Sequence, residues 1–253
     1  MPSFGKTVRH LRGFVRFEKV ESHPFTMKLL AVADIHGASN TAKKIAQSVS
    51  DENVDIIVLT GDVTNFGDES SFINVLAVFD TLGPPLFYVP GNCDLVMGTR
   101  SNAHRWVSIH GIVREHMGFD FLGVGGSNPS PFSTPLELEE TEISGILTKA
   151  IHARGDERRP LVLVSHPPPW GTNVDKVFRG QHVGSMAVRS FVESQRPKLV
   201  LCGHIHEARG MDRIGGTTVV NSGHGRDGYY AVVELDGKLD VNVKFYRFGS
   251  EAP

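Results

Sequence analysis

The chain has 253 residues, with 26 Lys and Arg against 28 Asp and Glu, so its formal net charge is −2. Hydrophobic residues at 40% and charged residues at 21% are typical of a folded globular protein and exclude wholesale disorder. The near-neutral charge, the presence of only two cysteines and the short aliphatic runs exclude a general nucleic-acid binder, a disulfide-stapled secreted scaffold and a membrane-spanning protein. We therefore expect a cytoplasmic protein.

Residues 1–26 differ in composition from the rest of the chain. They carry five basic residues and no acidic residue before Glu18. This pattern is compatible with a targeting peptide or a basic arm, but it lacks the long apolar segment of a signal peptide. Because Met27 directly precedes the first predicted strand, we expect a loose, disordered extension over residues 1–26 and a single domain over residues 27–250.

From Met27 onward, short apolar runs alternate with segments of helical period. Runs that are apolar along their whole length predict strands buried on both faces, at residues 28–33, 55–60, 86–89, 161–165 and 198–202. Apolar residues three or four positions apart predict helices over residues 40–50, 71–82 and 185–195. Such alternation is typical of βαβ units.

Further extended runs indicate a second sheet. Residues 113–126 are predicted to be extended, and so are residues 217–221, 229–235 and 239–247 in the tail. The Asp236-Gly237 pair is a hairpin signal between the last two runs. Buried central strands together with additional antiparallel strands need two sheets face to face, so we predict a layered α/β sandwich.

Each of the five buried strands ends in a polar cluster. The clusters are Asp34-Ile35-His36, Gly61-Asp62, Gly91-Asn92-Cys93-Asp94, His166 and Gly203-His204-Ile205-His206. Taken singly, each cluster is weak evidence, because Asp-x-His and Gly-Asp are more often turns than ligands. Ligands of α/β sheets, however, bind beyond the carboxyl ends of strands, where loops converge. Five clusters of oxygen and imidazole donors at that edge therefore indicate one site.

The five clusters resemble the motif blocks of the calcineurin-like metallophosphoesterases, over about residues 28–222. The Gly-Asn-Cys-Asp motif is similar to that of a small prokaryotic branch of the family. The resemblance implies a four-layer α-β-β-α sandwich, with two mixed sheets face to face between flanking helices, and a dinuclear metal site. It also implies which residues hold each ion: Asp34, His36 and His206 the first, Asp62 both ions as a bridge, and Asn92, His166 and His204 the second.

The chemistry of these donors fits a hydrolytic metal pair. A mixed set of oxygen and imidazole ligands suits two divalent ions of Mn, Fe, Zn, Ni or Co better than Ca²⁺. Two such ions lower the pKa of a shared water, so that a bridging hydroxide can attack phosphorus in line. We predict a phosphoesterase that acts on a small phosphate ester, with a phosphodiester favoured over a monoester.

One position departs from the family pattern. Where many relatives have a His that protonates the leaving group, oriented by the Asp that follows, this chain has Cys93 followed by Asp94. A thiol is a poor general acid, so Cys93 would bias the enzyme towards acidic leaving groups such as aryl or nucleotide esters. The alternative is that Cys93 only packs beside the site. Cys93 and Asp94 are kept as candidate catalytic residues.

Two loop histidines complete the candidates. His182 and His224 lie in Gly-bearing loops that we expect to approach the metals, and both are predicted to contact the substrate together with Asn92. His182 is the better candidate for the missing acid, although it could instead cap the following helix. Trp170 and Phe178, which follow the run Pro167-Pro168-Pro169, could stack a base, but packing is the commoner role of such residues.

Two other function classes fit parts of the sequence. A metal-binding scaffold for protein partners, like the retromer subunit of this fold, would not need all seven ligand positions filled. A nuclease would need a basic surface, and the cluster Arg154, Arg158 and Arg159 is interleaved with acidic residues. We interpret that cluster as solvated charge and expect no nucleic-acid partner; the sequence leaves the oligomeric state open.

Overall fold

The computed structural model describes residues 26–95, 105–155 and 159–252. The strands, in chain order, are β1 Thr26–Val32, β2 Ile56–Leu59, β3 Leu86–Tyr88, β4 Trp106–Ser108, β5 Val113–His116, β6 Phe119–Val124, β7 Leu161–Ser165, β8 Leu199–Cys202, β9 Gly210–Ile214, β10 Thr217–Asn221, β11 Tyr229–Asp236, β12 Val241–Arg247 and β13 Ser250–Glu251. The helices are α1 Ser39–Val49, α2 Glu69–Asp80, α3 Glu140–Ala153 and α4 Met186–Gln195. The predicted extension lies almost wholly outside these residues.

The strands form two mixed sheets. The seven-stranded sheet has the order β13-β12-β11-β1-β2-β3-β4, in which β1 to β4 run parallel and β11 to β13 are antiparallel. The six-stranded sheet has the order β5-β6-β7-β8-β10-β9, with β6, β7, β8 and β10 parallel. The parallel strands of each sheet therefore end together, and the loops that follow them share one edge.

Three hydrophobic clusters separate four layers. One cluster packs α1 and α2 on the outer face of the seven-stranded sheet, for example through Ile45, Phe72 and Leu30. A second cluster lies between the sheets and joins residues such as Leu29 and Val164. The third packs α3 and α4 on the six-stranded sheet. The arrangement is the predicted four-layer α-β-β-α sandwich. Within the described residues, no helix combines the length and apolar character needed to cross a membrane.

The predicted elements are present, with small shifts. All five buried strands and three predicted helices form, and Ser185 caps α4 by accepting a hydrogen bond from the backbone of Val188. The predicted hairpin at Asp236 is also present, but its second strand begins at Val241. The Asp236 carboxylate accepts backbone hydrogen bonds from Lys238 and Asp240, both at 2.9 Å, and so stabilises a loop longer than two residues.

Helix α3 is absent from the sequence predictions. Its buried residues Ile143, Leu147 and Ala150 have helical spacing, but Gly145 and several Ser and Thr residues lower its intrinsic helix propensity. A capping box between Glu139 and Glu142 begins the helix, and packing on the six-stranded sheet stabilises it.

Candidate metal centre

The candidate ligands meet where the loops of both sheets converge. Asp34, His36, Asp62 and Asn92 follow β1, β2 and β3 of the seven-stranded sheet, and His166, His204 and His206 follow β7 and β8 of the six-stranded sheet. Backbone hydrogen bonds join the loops within one sheet, such as Asp34 N to Gly61 O at 3.0 Å and Gly203 N to His166 O at 3.1 Å. The site thus lies on the seam between the two sheets.

Short distances cross this seam. His36 Nε2 lies 3.6 Å from Asp62 Oδ2 and 3.3 Å from His206 Nε2. Asp62 Oδ1 lies 3.6 Å from His166 Nε2 on its other side, and His206 Nε2 lies 3.8 Å from Asp34 Oδ2. One ligand atom from each of Asp34, Asp62 and His166 falls within 4.8 Å of the others, as does one from each of His36, Asp62 and Cys93. Asp62 therefore lies between His36 of its own sheet and His166 of the other sheet, the position expected of a bridging ligand.

His204 is held close by its backbone. Its N–H donates to Asp34 Oδ2 at 3.0 Å, and its ring centroid is 5.0 Å from that of His166. His204 belongs to none of the tight groups of His, Cys, Asp and Glu found among the described residues, but its ring neighbours the ligand expected to share its ion.

Strained backbone aims several of these side chains. Asp34, His36, Asp62 and His204 have φ angles of 54°, 47°, 48° and 69°, in the left-handed region that residues with a Cβ seldom adopt. Such conformations cost about 1–3 kcal/mol each and persist where the surroundings impose them, which is most often at functional sites. Two of the motif glycines, Gly61 and Gly91, allow the ligands to pack closely, because a Cβ would approach His166 Nδ1 to 2.4 Å and Asp62 Oδ1 to 2.0 Å.

Burial opposes the charged form of every ionisable ligand. Desolvation, together with the charge of Asp62, raises the pKa of Asp34, and desolvation also raises the pKa of Asp62 itself. Desolvation lowers the pKa of His166 to about 4 and the pKa of His204 and His206 to about 3. At neutral pH these three imidazoles are therefore uncharged and keep a free nitrogen lone pair, the form that binds metals.

The pair His166 and Asn92 tests whether a cation fits. His166 Nδ1 lies 2.8 Å from the carbonyl oxygen of Thr60, an acceptor, so the proton of the neutral ring sits on Nδ1. His166 Nε2 then faces Asn92 Oδ1, 2.9 Å away, with a lone pair on each atom. Two bare acceptors at this distance repel each other unless a cation lies between or beside them. The donor set therefore fits a metal ion at this position.

Two residues that sequence reasoning missed orient Asn92. The Asn92 amide Nδ2 donates to Thr134 Oγ1 at 3.0 Å, which turns Oδ1 towards His166. Thr134 Oγ1 in turn donates to Glu137 Oε1 at 2.9 Å, and Glu137 also accepts from Ser130 at 2.6 Å. Although desolvation raises the pKa of Glu137, these hydrogen bonds lower it to about 2, so the carboxylate is an acceptor at neutral pH.

Cys93 and Asp94 differ in their surroundings. Cys93 belongs to the group with His36 and Asp62, and burial followed by the charge of Asp62 raises the pKa of its thiol. Asp94 is fully buried and accepts backbone hydrogen bonds from Val63, Thr64 and Gly91 at 2.7–3.0 Å. Burial, together with the charge of Asp62, raises its pKa to about 6. Asp94 therefore fastens the loop after β2 to the loop after β3, and its catalytic role stays a prediction.

The two loop histidines lie in different places. His224 stacks on His206 with ring centroids 4.0 Å apart, and it shares a group of ligand atoms within 4.8 Å with His36 and His206. His182 belongs to no such group among the described residues. Its Nδ1 lies 2.6 Å from Asp175, a fully buried carboxylate, and its ring centroid is 5.6 Å from that of Trp170. The substrate contacts predicted for both histidines stay predictions.

The arginine cluster has a structural role that the sequence interpretation missed. Arg154 Nε and Arg159 Nε lie 2.6 Å and 2.8 Å from the two carboxylate oxygens of Asp120, which is fully buried. Solvated charge is therefore the wrong description of these two residues, since they neutralise a charge beneath the surface; Arg158 lies outside the described residues. The packing role considered for Phe178 is also wrong, because this side chain is 92% exposed.

Comparison with known proteins agrees with this geometry. The sequence profile of the calcineurin-like phosphoesterases matches residues 27–208. The chain is 35% identical over 199 residues to the uncharacterized protein MJ1162 of Methanocaldococcus jannaschii, a match that covers 77% of this chain and 87% of that protein.

Solved structures share the fold at lower identity. The protein TT1561 of Thermus thermophilus has a TM-score of 0.67 at 19% identity, covering 88% of this chain and 100% of that one. A dimetal phosphatase from Danio rerio has a TM-score of 0.60 at 14% identity, covering 89% and 98%. GAP50, described as the anchor in the inner membrane complex of Plasmodium, has a TM-score of 0.58 at 14% identity, covering 88% and 85%. The matched profile covers most of the chain, and the candidate ligands converge between the two sheets. This chain therefore belongs to the calcineurin-like phosphoesterase family.

Proposed function

We propose that the protein is a metal-dependent phosphodiesterase, whose two divalent ions are held by Asp34, His36, Asp62, Asn92, His166, His204 and His206. The main support for the proposal is that two hydrogen-bond acceptors, Asn92 Oδ1 and His166 Nε2, face each other beside the Asp62 carboxylate with no proton between them. When bound, such a pair of ions lowers the pKa of water towards neutrality and neutralises phosphate oxygens. The chain itself aligns the ligands and buries Asp34, Asp62 and His166.

The charge of the donor set favours a diester. Asp34 and Asp62 are its only carboxylates, while the remaining ligands are neutral imidazoles and one amide. Two dications on this set keep a net charge of about +2, which one attacking anion and one diester monoanion neutralise. A monoester dianion would leave excess negative charge in a buried site, and burial makes that unfavourable.

The leaving group is proposed to be aryl or nucleotide-like. Cys93 occupies the position of the usual general acid, and its raised pKa keeps the thiol protonated but a weak proton donor. Exposed aromatic side chains lie on loops at the same edge of the fold, including Trp170 after His166 and Phe132 beside Thr134. Phe178 adds a third on the loop that carries His182. Such rings can stack on an aromatic leaving group.

His182 is proposed as the acid that compensates for Cys93. The buried Asp175 accepts a hydrogen bond from its Nδ1, so the ring is held in one orientation with Nε2 free to donate when protonated. The side chain is 29% exposed and is therefore accessible to a substrate. Manganese as the bound metal and the cytoplasmic location both stay predictions.

Hydrolysis of two chromogenic esters tests the proposed function. The purified protein, loaded with Mn²⁺, Ni²⁺ or Zn²⁺, is assayed with bis-p-nitrophenyl phosphate and with p-nitrophenyl phosphate, with and without EDTA. We expect EDTA-sensitive hydrolysis with a higher kcat/KM for the diester. A higher kcat/KM for the monoester would overturn the diester preference. A metal-loaded protein that hydrolyses neither ester would favour the scaffold alternative.

A further inference from the structure

His224 lies among the candidate ligands without belonging to the seven that the motifs supply. One ring nitrogen of each of His36, His206 and His224 falls within 4.8 Å of the others. The rings of His224 and His206 are stacked at 4.0 Å with an interplanar angle of 16°, and the ring centroid of His36 is 5.7 Å from that of His224. Three imidazoles therefore converge where the motifs account for two. Because an imidazole binds a metal through a lone pair in the plane of its ring, the stacked His206 ring, which is 38% exposed, has to turn for both rings to bind one ion.

The backbone fixes His224 at this place. His224 pairs with Ala33 in a parallel β-bridge, immediately beyond the end of β1. Gly225 N donates to Ala33 O at 2.9 Å, and Arg226 N donates to Asp34 O at 3.0 Å. The loop that carries His224 is thus hydrogen-bonded to the same segment that presents Asp34 and His36. Its approach to the site is built into the main chain.

A carboxylate sets the orientation of the ring. His224 Nδ1 lies 3.0 Å from Asp227 Oδ2, so a neutral ring donates from Nδ1 and keeps Nε2 as an acceptor. A carboxylate that accepts from one histidine nitrogen while the other nitrogen binds a metal is a common arrangement in metalloproteins. The His224 side chain is only 20% exposed, whereas Asp227 is 59% exposed and lies on the outer side.

We propose that His224 is an additional metal ligand, binding the same ion as His36 and His206, and that Asp227 is its positioning residue. The inference rests on the proposed dinuclear site. Three imidazoles would make this ion's ligand set richer in nitrogen than that of the second ion, which has His166, His204 and the Asn92 oxygen. A nitrogen-rich site favours Co²⁺, Ni²⁺ or Zn²⁺ over Mn²⁺. The two ions would therefore differ in identity.

Metal binding without substrate tests the inference. The wild-type chain, His224→Ala, His224→Gln and Asp227→Asn are titrated with Co²⁺ against a chromophoric chelator, and the visible absorption bands of bound Co²⁺ are recorded. His152→Ala, at an exposed position in the last turn of α3, is the matched control. We expect one of two Co²⁺ affinities to fall at least about tenfold in both His224 variants, with altered absorption bands. For Asp227→Asn we expect a loss of the same affinity on the order of 10-fold. The control should match the wild type.

Different results overturn different statements. Unchanged affinities and unchanged Co²⁺ bands in His224→Ala and Asp227→Asn would overturn the inference and leave the dinuclear site intact. An unchanged affinity with a raised KM for the diester would make His224 a substrate contact, which also overturns it. A wild-type chain that binds no Co²⁺ would instead remove the proposed function. Circular dichroism and thermal unfolding in EDTA establish that each variant is folded, and Asp227→Asn carries the test if His224 variants do not fold.

Discussion

The seven-stranded sheet supplies all three oxygen donors of the metal centre, whereas the six-stranded sheet supplies only imidazoles. Burial acts on the two sets in opposite directions: it raises the pKa of Asp34 and Asp62 and lowers the pKa of His166, His204 and His206. In the absence of metal, one half therefore disfavours its negative charges and the other disfavours taking up protons to balance them. Bound cations would stabilise both sets of ligands at once, which favours the seam between the sheets as the position of the proposed metal pair.

The largest expected effect comes from the residue that joins the two halves. Asp62 faces His36 with one oxygen and His166 with the other, both at 3.6 Å. In Asp62→Asn we expect kcat/KM for bis-p-nitrophenyl phosphate to fall about 10³-fold or more, because the bridging charge is lost. Metal content, measured in parallel, should fall as well. The exposed Asp51→Asn is the matched control, and wild-type activity in Asp62→Asn would show that the two halves act independently.

Removal of the metal ions should lower the thermal stability of the protein. A ligand at 100 times its Kd stabilises the folded state by about 2.7 kcal/mol, which corresponds to about 5–10 °C in Tm for a chain of this size. We expect EDTA to lower Tm by this amount and added Mn²⁺ or Zn²⁺ to restore it. An identical Tm in both states would mean that metal ions do not link the sheets.

The orientation of Asn92, one of the three oxygen donors, depends on Thr134, a residue outside the motifs. Thr134→Val removes the hydroxyl that accepts from Asn92 Nδ2 while keeping the side-chain size, so Asn92 is free to turn its Oδ1 away from His166. We expect the affinity for one of the two ions to fall on the order of 10- to 100-fold, as found for residues that orient ligands. Chelator competition measures this loss. The control is Thr141→Val on the exposed face of α3, and equal affinities in the two variants would contradict the role of Thr134.

The smallest expected effect concerns the leaving group. Cys93→His restores a better proton donor beside Asp62, so we expect a gain of about tenfold in kcat for an alkyl phosphate ester and little change for an aryl ester. Cys93→Ala is the control, because it removes the thiol without adding a proton donor. No gain with the alkyl ester would show that position 93 only packs beside the site.

The parts of this molecule that follow one local pattern could be predicted from the sequence. The buried strands and the polar clusters after them are adjacent in the chain, and the rule that ligands bind at the carboxyl ends of strands then brings them together. Contacts between distant loops carry no such signal. Thr134 meets Asn92 across 42 positions, in a loop without periodicity.

The same limit applies to charges whose partners are remote. Arg154 and Arg159 pair with Asp120, 34 and 39 positions away, and a charge-rich segment looks solvated until that partner is known. His224 resembles any loop histidine until the bridge to Ala33 places it against His206. Tertiary hydrogen bonds, rather than local propensity, decide these positions.

Anomalous diffraction from crystals of the intact protein loaded with Co²⁺ or Zn²⁺ would locate the bound metal ions themselves. We expect two peaks per chain on the seam between the sheets, about 3.5–4 Å apart, with Asp62 in contact with both. Absence of metal from the seam, or a single ion bound by one sheet's residues alone, would contradict this expectation.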